Sequence, residues 1–295
     1  MKEFKTYHPF VNFIYFVFVI GFSMFFMNPV CLVISLVCGF SYSVLLKGKK
    51  AIKTNFIYML PMMLTMALIN SLFNHEGVSV IMYLPSGNPV TIESIIYGLC
   101  ASVMIFCVIC HFSCYNEIMT SDKIIYLFGR IIPSLSLILT MTFRFVPRFI
   151  TQFKTVANAQ KCIGNDIFSG NIIKRTKSLI SIMSIMITWS LENAIQTADS
   201  MKSRGYGEKN RTSYSNYKFD KRDKKALILI LILGAYTFMG NLLGAINFYY
   251  FPSIKAIEIS PFTISVFISY FVLCLVPIII ELWEVRKWKA LELKI

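Results

Sequence analysis

The sequence predicts an all-α, polytopic membrane protein with about six transmembrane helices and a cytoplasmic helical domain. Of its 295 residues, 56% are hydrophobic and only 15% are charged. The mean hydropathy is positive, at +0.64, and several long stretches contain no charged residue. A soluble domain cannot bury this much apolar surface, so lipid is the expected solvent for most of the chain.

The predicted spans follow from the stretches that lack Lys, Arg, Asp and Glu, because a helix that crosses the hydrocarbon needs about 20 residues with few charges. These stretches are Thr6–Leu46, Thr54–His75, Ser94–Asn116, Ala226–Ile254 and Ile259–Ile280. The first contains the turn signal Asn28-Pro29 near its middle, so we predict two helices there and six in total. Two further uncharged runs, Ile131–Phe143 and Ser178–Leu191, have only 13 and 14 residues and are predicted not to span.

The basic residues predict the orientation of these spans. Four lysines follow the second predicted span between Lys47 and Lys53, and 18 of the 29 basic residues lie between Tyr115 and Lys225. Under the positive-inside rule, both termini and this central segment are cytoplasmic, in a multi-pass protein of the plasma membrane. The predicted organisation is transmembrane helices 1–4 in residues 1–114, a cytoplasmic domain in 115–225, and transmembrane helices 5–6 with a cytoplasmic tail in 226–295.

The central segment shows the periodicity of two amphipathic helices, each ending at a glycine. The first helix is predicted to end near Gly164 and the second at Gly205, and glycine at these positions suits a left-handed helix cap. The predicted apolar face of the first helix contains Val146, Phe149, Ile150, Phe153, Val156, Ala157 and Ile163. The predicted apolar face of the second contains Leu191, Ala194, Ile195, Ala198 and Met201. The polar stretch Glu208–Lys225 is interpreted as a solvated connector.

Several short motifs resemble the transmembrane T component of energy-coupling factor transporters, the CbiQ/EcfT family. Tyr7-His8-Pro9 and Asn28-Pro29 are similar to the start of that family, and Thr142–Phe149 is similar to its Arg-Phe-(Ile/Val)-Pro element. Ala198–Gly207 matches the second coupling motif, Ala-x-x-Met-x-x-Arg-Gly-Tyr. The first coupling motif, Ala-Gln-x-Ala-Arg-Gly, corresponds to Ala159–Gly164, where Ile163 stands in place of the arginine.

The resemblance implies a non-catalytic subunit that joins two cytoplasmic ABC ATPases to a membrane S component for vitamin or metal-ion uptake. The residues expected to contact the ATPases are Arg204, Ser203 and Gly205 at the second motif and Lys161, Ile163 and Gly164 at the first. Those expected to shape the coupling helices are Arg144, Pro147, Ala198 and Met201. Lys161 is a candidate to replace the missing arginine charge. From spacing alone, Arg204 could instead interact with the C-terminal carbonyl groups of its own helix.

The sequence is less consistent with an ATPase, a haem or metal protein, or a nucleic-acid-binding protein. The chain contains no Walker A motif, so ATP is expected to be used by partner ATPases and no cofactor is expected on this chain. Cys107-Val-Ile-Cys110-His111 matches a haem-attachment pattern, but it lies in the cytoplasmic half of a predicted span, where packing is expected and no metal. The net charge of +14 reflects topology rather than nucleic-acid binding. A conventional ABC permease and, less favoured, a membrane-embedded enzyme remain the alternatives.

The predicted topology can be tested by cysteine labelling on a cysteine-free background. A cysteine at Ser79, in the loop Glu76–Glu93 that is predicted to lie outside, should react with a membrane-impermeant maleimide added to intact cells. A cysteine at Ser213 should react only after the cells are opened. Labelling of Ser213→Cys from outside would show that the orientation is wrong.

Overall fold

The computed structural model describes residues 4–83, 89–129, 132–166, 171–208, 217–255 and 260–292. After a short 3₁₀ helix, Phe4–Thr6, it contains nine α-helices and one two-stranded antiparallel sheet within these ranges. The helices are α1 (Pro9–Phe25), α2 (Pro29–Lys47), α3 (Lys49–Phe73), α4 (Ile92–Ile118), α5 (Ser121–Gly129), α6 (Pro133–Cys162), α7 (Ile172–Ser203), α8 (Lys221–Leu242) and α9 (Pro261–Glu292). The strands are β1 (Val80–Tyr83) and β2 (Pro89–Thr91). The prediction of an all-α polytopic fold is confirmed.

The chain divides into two compact units, and the first comprises Met1–Ile124 and Tyr217–Ile295. In this unit α2 packs against α4 and α9, α3 packs against α4, and α1 packs against α4 and α8. The core is dominated by aromatic residues, of which Tyr15, Phe16, Tyr42 and Tyr270 are almost fully buried. Six of the eight cysteines are buried as free thiols, as expected of small apolar side chains.

In the described part of the chain, six helices are long and apolar enough to cross a membrane. They include α7, which contains the run Ser178–Leu191 that was predicted not to span, and they do not include α1. The six are α2, α4, α7, α8, residues Ala51–Asn70 of α3 and Pro261–Trp283 of α9. The run Ser178–Leu191 is not a separate short segment. It lies inside the 32-residue helix α7, which begins before the run and continues beyond Glu192. Helix α1 has 17 residues, close to the lower limit for a span. Residues 209–216 of the expected connector lie outside the described residues.

The two N-terminal Pro motifs are helix starts. His8 precedes Pro9, and its imidazole accepts a hydrogen bond from the backbone N–H of Phe10. Asn28 precedes Pro29, and its side-chain oxygen accepts from Val30 N–H at 3.0 Å. Proline suits the first helical turn because its missing N–H would have no intrahelical partner there. The Asn28 cap therefore explains why a new helix begins only four residues after Phe25, the last residue of α1.

A chain of buried hydroxyl and imidazole groups joins four helices of this unit. The Ser23 hydroxyl on α1 lies 2.8 Å from that of Ser35 on α2 and 3.3 Å from that of Tyr270 on α9. The Ser35 hydroxyl lies 3.1 Å from Nε2 of His111 on α4. Polar groups in an apolar interior are costly unless paired, so this chain favours one arrangement of the four helices.

The segment that precedes α1 is fixed by several polar contacts. The backbone N–H of Phe4 donates to Glu281 of α9, and that of His8 donates to Asp223 of α8 at 3.3 Å. The Lys123 ammonium group donates to the carbonyl of Lys5. Burial, assisted by the nearby positive charge of Lys5, lowers the pKa of Lys123 to about 8. The first residues of the described chain are therefore part of the core and not a loose tail.

Close packing of α8 on α9 depends on Gly240. A Cβ placed on this glycine would lie 2.5 Å from Cγ2 of Val266, whereas a Cβ on Gly21 in α1 would meet nothing within 4 Å. Both residues lie inside helices, so both substitutions to alanine have a similar intrinsic effect on helix formation.

We therefore expect Gly240→Ala to destabilise the protein by about 1–3 kcal/mol through overpacking. The matched variant Gly21→Ala should be neutral or slightly stabilising. The measurement is the thermal unfolding midpoint of each variant in the same detergent. Equal midpoints for the two variants would show that α8 and α9 do not approach this closely.

Candidate functional site

The second compact unit, Ile125–Asn216, is built around a packed pair of long helices, α6 and α7. Val156 of α6 is buried with Ile182 and Met186 of α7. Phe149 meets Trp189 edge to face, with ring centroids 5.2 Å apart. The partly buried side chains Phe153, Ala157 and Trp189 complete this apolar cluster. The two helices are therefore joined by side-chain packing near their middle.

The pairing of residues shows that α6 and α7 run antiparallel. Val156 lies against Ile182 and Met186, whereas Phe149, earlier on α6, contacts Trp189, later on α7. The C-terminal ends of the two helices consequently point in opposite directions. Val156 lies 8 residues before Gly164, and Met186 lies 19 residues before Gly205, so at about 1.5 Å per residue the two ends are on the order of 40 Å apart.

The second predicted coupling end closes with a Schellman motif at Gly205. Gly205 has φ +76°, in the left-handed region. The N–H of Tyr206 donates to the carbonyl of Met201 at 3.0 Å, and the N–H of Gly205 donates to that of Lys202 at 3.0 Å. The Ser203 hydroxyl donates to the carbonyl of Ser200 at 2.9 Å. These bonds satisfy carbonyl groups that a helix end normally leaves unpaired and fix the backbone on both sides of Arg204.

The first predicted coupling end has the same backbone motif at Gly164, whose φ is +88°. The N–H of Asn165 donates to the carbonyl of Gln160 at 2.9 Å, and the N–H of Gly164 donates to that of Lys161 at 3.0 Å. Both glycine-terminated helix ends predicted from the sequence are confirmed.

The side chains at the two ends differ in character. Ile163 is 74% exposed, so an apolar side chain projects where the family motif has arginine. The Lys161 ammonium lies 3.6 Å from Oδ2 of Asp166, which partly neutralises this end. Because exposed pairs of this kind contribute little, Lys161 can still be drawn to another anion.

A groove of about 790 Å³ lies between α6 and α7 at the second end. Three arginines contribute to its wall: Arg144 and Arg148 from α6, and Arg204 from the end of α7. Within the described ranges, no carboxylate lies within 4.0 Å of these guanidinium groups. Among the residues described, no side-chain hydrogen bond joins Arg204 to a carbonyl of its own helix, and its position at the end of α7 still places its charge near the helix dipole.

Four of the predicted site residues line the groove, and Ser203 and Gly205 flank Arg204 at the same helix end. Arg144, Pro147, Met201 and Arg204 all line the groove. Lys161, Ile163 and Gly164 lie at the opposite end of the helix pair, and Ala198 is exposed on α7 outside the groove. Arg148 was missed as a site residue, although it belongs to the quoted Thr142–Phe149 stretch. Its spacing of four from Arg144 could have indicated a shared helix face.

The predicted apolar faces contact the partner helix only in part. Phe149 and Phe153 contact the partner helix, whereas Val146 and Ile150, assigned to the same face, are exposed. On α7, Leu191 and Ile195 are exposed. Periodicity could not separate these surfaces, because each helix has two apolar sides, one facing its partner and one facing outward.

The Cys107–His111 pattern lies within the core of the first unit. Cys107 and Cys110 are buried. The His111 ring packs so closely on Gly39 that a Cβ added to this glycine would lie 3.1 Å from the ring. No group of three His, Cys, Asp or Glu side chains is arranged to hold a metal in the residues that the structure describes.

Comparison with known proteins identifies related sequences. The model of the CbiQ family, described as "Cobalt transport protein", matches residues 1–214. The chain is 36% identical over 105 residues to the "Energy-coupling factor transporter transmembrane protein EcfT" of Streptococcus equi subsp. equi, which is 35% of this chain and 39% of that protein. It is 36% identical over 100 residues to the protein of the same name from Lactococcus lactis subsp. cremoris, which is 34% of this chain and 38% of that protein. These alignments span about two fifths of the relatives.

Proposed function

Since the chain belongs to the CbiQ family and is a multi-pass membrane protein, we propose that it is the transmembrane coupling component of an energy-coupling factor transporter. In this role it links a pair of cytoplasmic ABC ATPases to a membrane S component that binds a vitamin or a metal ion. Both termini and the α6–α7 pair are proposed to lie in the cytoplasm, as the distribution of basic residues predicts, although α7 is by length and composition able to cross a membrane.

The observation that carries the proposal is the pair of glycine-terminated helix ends in one packed antiparallel unit. Gly164 and Gly205 end the two helices with the same hydrogen-bond pattern, and the ends point away from each other. Two such ends suit two ATPase subunits, one at each end. The relatives' printed names place them in energy-coupling factor transporters, which supports the same role for this chain.

The packing of α6 against α7 supplies a route for mechanical coupling. Closely packed side chains do not compress easily, so a displacement at one helix end is passed to the partner helix through the cluster around Val156, Ile182 and Met186. We propose that closure of the ATPase dimer shifts the two ends and thereby changes the angle or register of the pair.

The outward surface of α7 is the proposed contact for the S component. It presents a row of exposed large apolar side chains over about four helical turns. These side chains are Ile180, Met183, Ile187, Leu191 and Ile195. Exposed apolar surface of this extent is typical of an interface with protein or lipid. ATP hydrolysis is assigned to the partner ATPases, and this chain is proposed to be non-catalytic.

The two coupling ends should respond differently to mutation. Arg204→Ala removes an ionic contact and should weaken ATPase binding by about 2–5 kcal/mol if that contact is desolvated in the complex. Ile163→Ala removes apolar packing only and should cost about 1–3 kcal/mol. Lys154→Ala, which removes an exposed charge from the middle of α6, should have little effect.

The measurement is the affinity of each purified variant for the cognate ATPase pair, together with substrate uptake by cells that carry the complete transporter. If Arg204→Ala kept wild-type affinity and uptake, Arg204 would act only at the end of its own helix and would not belong to the coupling surface.

A further inference from the structure

The three arginines in the groove between α6 and α7 come from separate parts of the chain. Arg144 and Arg148 are one helical turn apart on α6, and Arg204 ends α7, 56 residues after Arg148. The antiparallel packing places them around one opening of about 790 Å³. A concentration of positive charge at one end of a helix pair is costly unless an anion or solvent compensates it.

The rest of the groove lining is uncharged and contains apolar side chains, such as Met141 and Phe145, as well as groups that form hydrogen bonds. Asn193, Gln196, Thr197 and Ser200 face the opening from α7. The α7 carboxylates of Glu192 and Asp199 are exposed and do not belong to the lining. In the described ranges, no carboxylate of the chain therefore neutralises the groove, and an occupant with negative charge is favoured.

We infer that this groove receives an acidic segment of one ATPase subunit, with at least two carboxylates that pair with Arg144, Arg148 and Arg204 together. The inference rests on the proposed function and extends it, because the second coupling end becomes a three-arginine site. Arginine binds carboxylates through two parallel hydrogen bonds, which gives direction as well as attraction. The neutral amide and hydroxyl groups can bond to the peptide backbone of the same segment.

The contacts of Arg148 orient its guanidinium group before a partner binds. Its guanidinium carbon lies 5.6 Å from the centre of the Trp189 ring, which also packs against Phe149. A cation above an aromatic face is attracted to it while its outer N–H groups remain available. The same packing that joins the two helices therefore orients one of the arginines.

The first coupling end lacks these features. Its basic side chain, Lys161, already lies 3.6 Å from Asp166, and the neighbouring Ile163 is apolar. An acidic segment would meet one ammonium group there, compared with three guanidinium groups in the groove. The chemistry of the two ends therefore favours an acidic surface on the subunit that meets Arg204 and an apolar surface on the subunit that meets Ile163.

The experiment measures binding of the cognate ATPase pair to the full chain in nanodiscs of phosphatidylcholine alone, where no anionic lipid competes. We expect Arg144→Gln and Arg148→Gln each to weaken binding about tenfold, close to the effect of losing one charged pair at a partly exposed interface. Lys154→Gln removes the same charge from α6 outside the groove and should bind within a factor of two of wild type. Arg144→Gln disturbs no contact within the described residues, and unchanged thermal midpoints would show that the variants fold.

A second readout is the salt dependence of binding, which should be steeper for the wild type than for the Arg144→Gln/Arg148→Gln double variant. If the wild type binds the ATPases and both single variants bind like Lys154→Gln, the inference is overturned while the proposed function stands.

If phosphatidylglycerol stabilises the wild type but not the double variant, and ATPase binding is equal in both, the groove is a lipid-phosphate site and the inference is also overturned. Failure of the wild type to bind the ATPase pair would overturn the proposed function itself.

Discussion

Val156 of α6 lies between Ile182 and Met186 of α7, and the proposed coupling mechanism depends on this contact. Full burial of such side chains contributes about 1.5–3 kcal/mol each, enough to hold two helices together but not enough to make the pair independent of its partners. Without this cluster, the ends at Gly164 and Gly205 would move separately. With this cluster, the two helix ends are connected through the packed region, so a displacement of one end is passed to the other helix.

The two ends share a backbone and differ in side chains. The Schellman motifs at Gly164 and Gly205 present the final helical turn in the same way, so shape recognition can be similar at both. At one end Ile163 offers apolar surface, and at the other Arg204 joins a cationic groove. Loss of the arginine from the first motif is therefore a change in the kind of contact, from ionic to apolar. It need not remove the contact.

Local signals in the sequence predicted much of the fold. Charge-free stretches, Asn28-Pro29 and the two glycine caps act through residues close together in the chain, and the structure has the corresponding helices and turns. Features that depend on distant residues could not be predicted in this way. The hydroxyl chain from Ser23 to His111 and the groove that Arg148 shares with Arg204 each require the tertiary arrangement. Likewise, the periodicity of α7 indicated an apolar face, but only packing shows that Ile182 faces α6 while Leu191 faces outward.

The proposed role of this chain is that of a non-catalytic link that binds ATPases only in its folded form. This role is tested most directly by the thermal unfolding midpoint of the purified protein in detergent, measured with increasing amounts of the cognate ATPase pair. A partner that binds only the folded state must raise the midpoint, and above its dissociation constant the added stability grows with the logarithm of its concentration. We expect a rise that depends on ATPase concentration, with no ATP hydrolysis by the isolated chain. An unchanged midpoint at saturating ATPase would contradict it.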